Sequence, residues 1–315
     1  MTQSEQQPVY LIDASIYIFQ AHFSPYLEIQ DNDGDDLSAL AGYTQFLLQF
    51  LRRNSPQHIG VAHDESLFCG FRHRLCENYK SNRELPDDNL ARQLAGCLEL
   101  GEILGLASFA SKEFEADDII GALSHKARMN EDAKLDVHIV SRDKDLAQLL
   151  AADQDCLWDY NANRKRFRAD IINELGILPE QIPDYLGLIG DSVDCISGVP
   201  GVGPVKAKAL LQRFASMESI YANLDKVAAM DLRGARKLAE NLELHKELAY
   251  LSKELATIVC DIPDELERFG HVTLPELRRQ TVQVDRFADF LSRFGFAKPE
   301  ARRLLGNARV LAERL

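Results

Sequence analysis

The sequence predicts an α/β fold, a parallel β-sheet with helices on both faces, followed by a second, mainly helical region. Three observations carry this prediction. Short apolar runs of strand length, with Val and Ile recurring, lie at residues 9–12, 58–62 and 137–140. Helical hydrophobic periodicity fills intervals between and around them, at residues 37–51, 88–104 and 116–128. Each run leads into an aspartate: Asp13, Asp64 and Asp143. Alternating strands and helices imply βαβ units and a parallel sheet. In such sheets ligands sit outside the carboxyl ends of the strands. One aspartate after a strand is an ordinary turn residue or helix cap; three at one rim point to a site.

Composition sets the outer bounds. The 315 residues are 46% hydrophobic and 27% charged, the proportions of a globular chain that can bury a core without staples. A disordered tail, a collagen and a coiled-coil rod are excluded. The formal charge of -13 argues against a generic nucleic-acid coat, since phosphate binding needs local positive charge. Segregated charge, carboxylates in a site and Lys/Arg on a contact surface, removes that objection. The six cysteines form no CxxC pair and read as reduced thiols; Cys69, His73 and Cys76 lack a fourth ligand for zinc. The start, MTQSEQQPVY, is polar, and no apolar stretch approaches the ~20 residues of a membrane span. The expectation is a cytoplasmic protein with no membrane partner.

From Pro179 onward the pattern changes. Residues 181–189 read as a helix that breaks at Gly190-Asp191-Ser192-Val193-Asp194. Residues 198–204 form a Gly/Pro turn, and helix resumes over 205–214. Residues 240–256 read as one long helix, and 286–294 and 300–315 as two more. The expected organisation is a catalytic domain at 1–178 with a basic segment at about 67–95, a second region at 179–263, and an extension at 264–315 to which no motif gives a role.

Glu115, Asp117 and Asp118 open the helix beginning at Ala116. Alone they are what a helix N-terminus prefers, because acidic side chains complement its dipole. The buried face expected from Ile119, Leu123 and Ala127 would fix that start against the sheet. Joined by Asp13, Asp64, Asp143 and Asp145, the carboxylates repel strongly. Either several hold protons or divalent cations neutralise them. All-oxygen ligands point to Mg²⁺ or Mn²⁺ rather than zinc. Two such ions suit in-line attack of water on a phosphodiester. No GxxxxGK[ST] loop or GxSxG elbow is present. Asp13 is followed by Ala14-Ser15, not by the second aspartate of a phosphatase pair.

Residues 67–83 carry four basic side chains, Arg72, Arg74, Lys80 and Arg83, against one acidic, Glu77. This is the charge segregation sought. Phe71 and Tyr79 are placed to stack on exposed bases, and a Lys or Arg could stabilise charge on a scissile phosphate. The glycine turn offers N–H groups near a helix start at Pro204-Val205-Lys206, with Lys206 and Lys208 adding charge, a geometry that holds phosphate without reading sequence.

Taken together, LIDAS (11–15), the Asp64 region with FRHR (71–74), YKSNR (79–83), EADDIIGAL (115–123), SRDKDLAQLL (141–150) and GDSVDCISGVPGVGPVKAKALL (190–211) resemble the 5′–3′ exonuclease/flap endonuclease family. The resemblance covers residues 9–263. It implies a PIN-like nuclease fold with a helix-three-turn-helix (helix-hairpin-helix-like) DNA-binding module. It further implies two Mg²⁺ ions, with Mn²⁺ as a substitute. One would be held by Asp13, Asp64, Glu115, Asp117 and Asp118, the other by Asp143, Asp145, Asp191 and Asp194. Lys80 and Arg83 match the basic residues of the helical arch that admits a 5′ single strand, and Arg72 would face the phosphate. Leu188, Ile189, Ser197, Val199 and Val202 match a K⁺ site. Tyr79, Gly201, Val202, Gly203, Pro204, Val205 and Lys206 would contact DNA. Cys195, Ser197 and His63 depart from the family's usual Asn, Pro and Phe. The activity implied is a Mg²⁺-dependent 5′ nuclease, acting as a monomer on DNA with 5′ flaps or 5′ single-stranded ends. A non-catalytic junction-binding protein and a PIN-like ribonuclease acting on RNA or RNA–DNA hybrids remain as alternatives.

Overall fold

The computed structural model describes residues 7–129, 135–263 and 266–314. Two compact units divide the chain. One comprises Met1–Ser66, Leu85–Arg142 and Val259–Leu315; the other comprises Leu67–Glu84 and Asp143–Ile258.

The first unit holds four parallel strands, β1 (Val9–Asp13), β2 (His58–Asp64), β3 (Ala107–Ser111) and β4 (Val137–Val140). Their order is β3-β2-β1-β4. Every residue of β1 is buried. Successive strand side chains point to opposite faces, so both faces are covered, as a parallel sheet requires. The helices Ala14–His22, Ser38–Asn54, Asp88–Ile103 and Ala116–Met129 supply the cover. Ile119, Leu123 and Ala127 are all buried, which is the face the periodicity predicted. A methyl group on Gly60 of β2 would meet Leu123 at 2.9 Å, so helix and strand are in close contact there. No described helix is long and apolar enough to cross a membrane.

The C-terminal extension belongs to this same unit. Helices Val284–Arg293 and Lys298–Ala312 bury Phe287, Phe290 and Leu304. The Phe294 ring lies against Gly96 and under the Arg92 guanidinium, 5.2 Å from the ring centroid. The Arg279 N–H donates to Gln57 O and the Gln280 N–H to Gly105 O. Residues beyond 265, which carry no readable motif, thus complete the core.

The second unit contains the antiparallel pair β5 (Cys156–Asp159) and β6 (Arg164–Phe167) and helices including Ile182–Ile189, Pro204–Phe214, Ala235–Leu244 and Lys246–Ala256. The single helix expected over 240–256 is two, parted at His245 (φ -111°, ψ 25°). No Gly or Pro marks the break. Buried Leu238, Leu242, Ala249 and Leu255 keep near-helical spacing across it, which hides it from periodicity. The basic segment is also shorter than expected. It forms one brief helix, Phe71–Leu75, and turns, whereas the helix Asp88–Ile103 lies in the first unit.

The glycine turn is held by close backbone approach. Gly190 (φ +79°) and Gly198 (φ +65°) take left-handed conformations, and a Cβ on Gly198 would stand 2.3 Å from the Gly190 nitrogen. Only glycine satisfies both demands. Between them, Asp191 and Ile196 exchange backbone hydrogen bonds of 2.9 and 2.7 Å.

Candidate active site

In the first unit, Asp13 and Asp64 end adjacent parallel strands, and the register sets Asp13 beside Ala62, two residues short of Asp64. Asp13 is buried. It caps the helix Ala14–His22 through Oδ1 and accepts a 2.8 Å hydrogen bond from Ser141 Oγ at Oδ2. Ser141 directly follows β4, so the ends of β1 and β4 meet at this carboxylate. Asp64 Oδ1 accepts from the Ser66 N–H and hydroxyl. Glu115 is buried and Asp117 half-buried at the start of Ala116–Met129, the helix that packs on β1, β2 and β3.

Asp118 differs from its neighbours. It is fully buried. Its Oδ2 accepts the Glu115 N–H at 3.0 Å and its Oδ1 the Val259 N–H at 2.9 Å. The carboxylate ties the helix start to the segment of chain that re-enters this unit after Ile258.

His63, which precedes Asp64, is buried with its ring edge-on to Tyr43 at 6.0 Å. Burial pulls its pKa down to about 3, so at neutral pH it packs as a neutral ring in a place where the related pattern has Phe. A group protonated more readily in the unfolded chain gives stability that is complete above about pH 6.5 and falls with acid toward pH 3. His63 therefore lowers stability by ~2 kcal/mol between pH 8 and pH 5. Urea unfolding of His63→Phe at both pH values is expected to show that much less acid sensitivity; an unchanged difference would contradict the assignment.

The second unit gathers the other four carboxylates. Asp143, Asp145, Asp191 and Asp194 come from the loop opening this unit and from the glycine turn. Burial, then Asp143, Asp191 and Asp194, push the Asp145 pKa up to about 7 against the opposing pull of Lys144. Lys144 Nζ donates to Asp191 Oδ2 at 3.1 Å. Asp194 is held by Arg83 at 3.1 Å and Lys80 at 3.8 Å. The Lys80 N–H also donates to Asp194 O, with Lys80 in a left-handed conformation at φ 49°. Lys80 and Arg83 therefore do stand beside this cluster. Lys144 is a third cation there, missed in the sequence although it sits between two of the aspartates. Cys195 has φ 57°, a left-handed position that suits Asn, the residue it replaces in the family pattern.

Two expectations fail. Tyr79 is buried with Ile196 and Leu255, its ring edge-on to His73 and covered by Lys80. It is core and offers no face to a base. Arg72 is buried as well. Its Nε donates to Leu255 O at 2.9 Å and its Nη2 to Thr257 O at 2.7 Å, so it closes the end of the helix Lys246–Ala256 rather than facing a phosphate. Both mislead for one reason: a basic, aromatic segment without hydrophobic periodicity looks exposed.

In the glycine turn, the Leu188 carbonyl accepts the Val199 N–H and the Val199 carbonyl accepts the Val202 N–H. Leu188, Ile189, Ser197, Val199 and Val202 thus share one turn. Gly203 precedes Pro204, the first residue of Pro204–Phe214, with open space around it. Gly201, Pro204 and Val205 are exposed, and Lys206 Nζ folds back on Gly201 O at 2.9 Å.

The donors at both carboxylate groups are oxygens alone, the chemistry of a hard divalent cation. Burial first, and then neighbouring negative charge, raise Asp145, and a bound cation would favour its ionised form. Among the described residues no three His, Cys, Asp or Glu side chains stand together as a ready-made metal cage. Ammonium, guanidinium, hydroxyl and N–H donors occupy several of these oxygens, and ion binding must exchange some of those bonds.

A mostly parallel sheet carrying acidic residues at its carboxyl rim, followed by a helical module, defines a PIN-like α/β nuclease architecture. The chain belongs to the 5′–3′ exonuclease family: residues 8–176 match its N-terminal resolvase-like domain and residues 177–279 its C-terminal SAM fold. A 5′-3′ exonuclease of Buchnera aphidicola subsp. Schizaphis graminum is 31% identical over 264 residues, 84% of this chain and 90% of that protein. DNA polymerase I of Bacillus subtilis is 33% identical over 310 residues, 95% of this chain but 33% of the polymerase. Among solved structures, the T5 D15 protein co-crystallised with metal ions has a TM-score of 0.62 at 17% identity, covering 96% of this chain and 99% of its own. The catalytic core of Rad2 in complex with DNA substrate has a TM-score of 0.61 at 13% identity, covering 96% and 92%. These two likenesses show the fold.

Proposed function

We propose that the protein is a Mg²⁺-dependent, structure-specific 5′ nuclease that hydrolyses phosphodiester bonds in DNA bearing 5′ flaps or 5′ single-stranded ends. The observation that carries this reading is the crowding of Asp143, Asp145, Asp191 and Asp194 among Lys80, Arg83 and Lys144. A structural role alone gives no reason to bury Asp145 within the field of three other carboxylates, which together raise its pKa to about 7. Family membership and the DNA in the Rad2 complex support the choice of substrate.

Divalent cations, when bound, make water more acidic and offset negative charge on phosphate oxygens. Asp13, Asp64, Glu115 and Asp117 are the candidate ligands in one unit, and Asp143, Asp145, Asp191 and Asp194 in the other. Asp118 and Ser141 orient the first group. Were an ion held by the second group, Lys80, Arg83 and Lys144, now paired with Asp194 and Asp191, would be the donors available to the scissile phosphate. Gly201, Val202, Gly203, Pro204, Val205 and Lys206 contact the duplex backbone without reading sequence, and the turn carbonyls of Leu188, Ile189, Ser197, Val199 and Val202 are the candidate K⁺ ligands. The protein acts as a cytoplasmic monomer.

The test is a 5′-end-labelled flap duplex incubated with purified protein in Mg²⁺ and in EDTA, beside a matched RNA flap. Short labelled products in Mg²⁺ only, with DNA preferred, are expected. Tight flap binding without turnover favours the junction binder, and preference for the RNA flap favours the ribonuclease.

A further inference from the structure

A second charged pocket lies in the first unit, at the opposite end of β2 from Asp64. It has a volume of about 500 Å³ and is lined by Ser55, Gln57, His58, Arg278, Arg279 and Arg314, among others. β2 runs from His58 to Asp64, six steps of ~3.3 Å, which separates the pocket from Asp64 by about 20 Å.

Arg279 is 6% exposed. Its Nη2 reaches Leu311 O at 3.3 Å, and its Nε is buried without a hydrogen-bond partner. The lining contains no carboxylate among the described residues. A buried guanidinium without a counter-charge is costly, and proteins keep such charges paired. Burial lowers the Arg279 pKa, and an arginine guanidinium stays charged in proteins. His58, which bridges Arg278 through the backbone, also has a buried, unpartnered Nδ1. Burial and the Arg278 charge lower its pKa, so at neutral pH it adds a neutral polar edge and no further charge. Three arginines lining one cavity of about 500 Å³ call for an anion with several acceptor oxygens and close to two charges. A phosphate monoester or free phosphate has both, whereas a carboxylate has two oxygens and one charge.

We propose that the pocket formed by His58, Arg278, Arg279 and Arg314 binds a phosphate group, supplied either as inorganic phosphate or as the 5′-phosphate of a mononucleotide. Its volume of about 500 Å³ suits a small ligand, and its place at the far end of β2 sets it apart from Asp64.

Isothermal titration of the full chain in EDTA, with sodium phosphate and separately with dAMP at matched ionic strength, tests this. Saturable binding at one site per chain is expected. Equal affinities would assign recognition to phosphate alone; tighter dAMP binding would add contacts to the nucleoside. Arg279→Met removes one charge-assisted hydrogen bond to the anion and is expected to weaken binding by at least about tenfold. It is also expected to raise or leave unchanged the Tm of the ligand-free protein, since it removes an unpaired buried charge. The exposed Arg278→Ala is expected to weaken binding in the same direction and covers the case in which Arg279→Met does not fold. No saturable binding up to roughly 10 mM phosphate, well beyond a weak millimolar site, overturns the proposal. So does unchanged affinity in Arg278→Ala.

Discussion

Asp117→Ala is expected to cut Mg²⁺-supported flap cleavage by on the order of 10³-fold, the rate equivalent of the several kcal/mol a well-placed cation supplies. The substitution falls at a half-buried position in the first turn of Ala116–Met129. The change removes a first-turn carboxylate, whose dipole interaction is worth about 0.5 kcal/mol, and adds alanine's helix propensity. Fold and DNA affinity are expected to survive at this half-buried position, and circular dichroism and flap binding in EDTA check both. A rate within tenfold of wild type removes this carboxylate from the chemistry.

Asp118→Ala is the contrasting case, one residue away. Its two oxygens hold the Glu115 and Val259 N–H groups in a fully buried setting. Leaving two buried donors without acceptors costs about 3 kcal/mol. Asp118→Asn keeps one acceptor oxygen and is expected to lose roughly half as much. Urea unfolding in EDTA measures this with cation binding out of play. If the stability of Asp118→Ala in EDTA equals that of wild type, the residue does not clamp the helix start and serves as a ligand only.

The carboxylates are legible because they sit where sequence grammar is strongest, at the ends of apolar runs and the start of an amphipathic helix. β1, β2 and β4 and the helix Ala116–Met129 follow from that grammar. β3, with the sequence ASFAS, has no apolar run, and β6, RKRF, is mostly charged, so neither announces itself. Gly190 and Gly198 are readable as a turn, but the contact between them is not, since it depends on segments eight residues apart closing at the backbone. Tyr79 and Arg72 show the opposite error. Their residue types suggest a nucleic-acid surface, while the neighbours that bury them, Leu255, Thr257 and Ile196, lie more than a hundred residues away. Arg279 has no motif at all; that no carboxylate lines its pocket among the described residues is visible only in three dimensions.

The central claim is that two separate groups of carboxylates each hold a hard divalent cation. Mn²⁺ titration of EDTA-treated protein, with free Mn²⁺ followed by electron paramagnetic resonance, measures the stoichiometry directly. The account predicts about two ions per chain, the count a two-metal phosphodiesterase needs. It predicts the loss of one in a variant carrying Asp13→Asn and Glu115→Gln, and of the other in a variant carrying Asp191→Asn and Asp194→Asn. Undiminished Mn²⁺ binding in either variant, or none in the wild type, would contradict it.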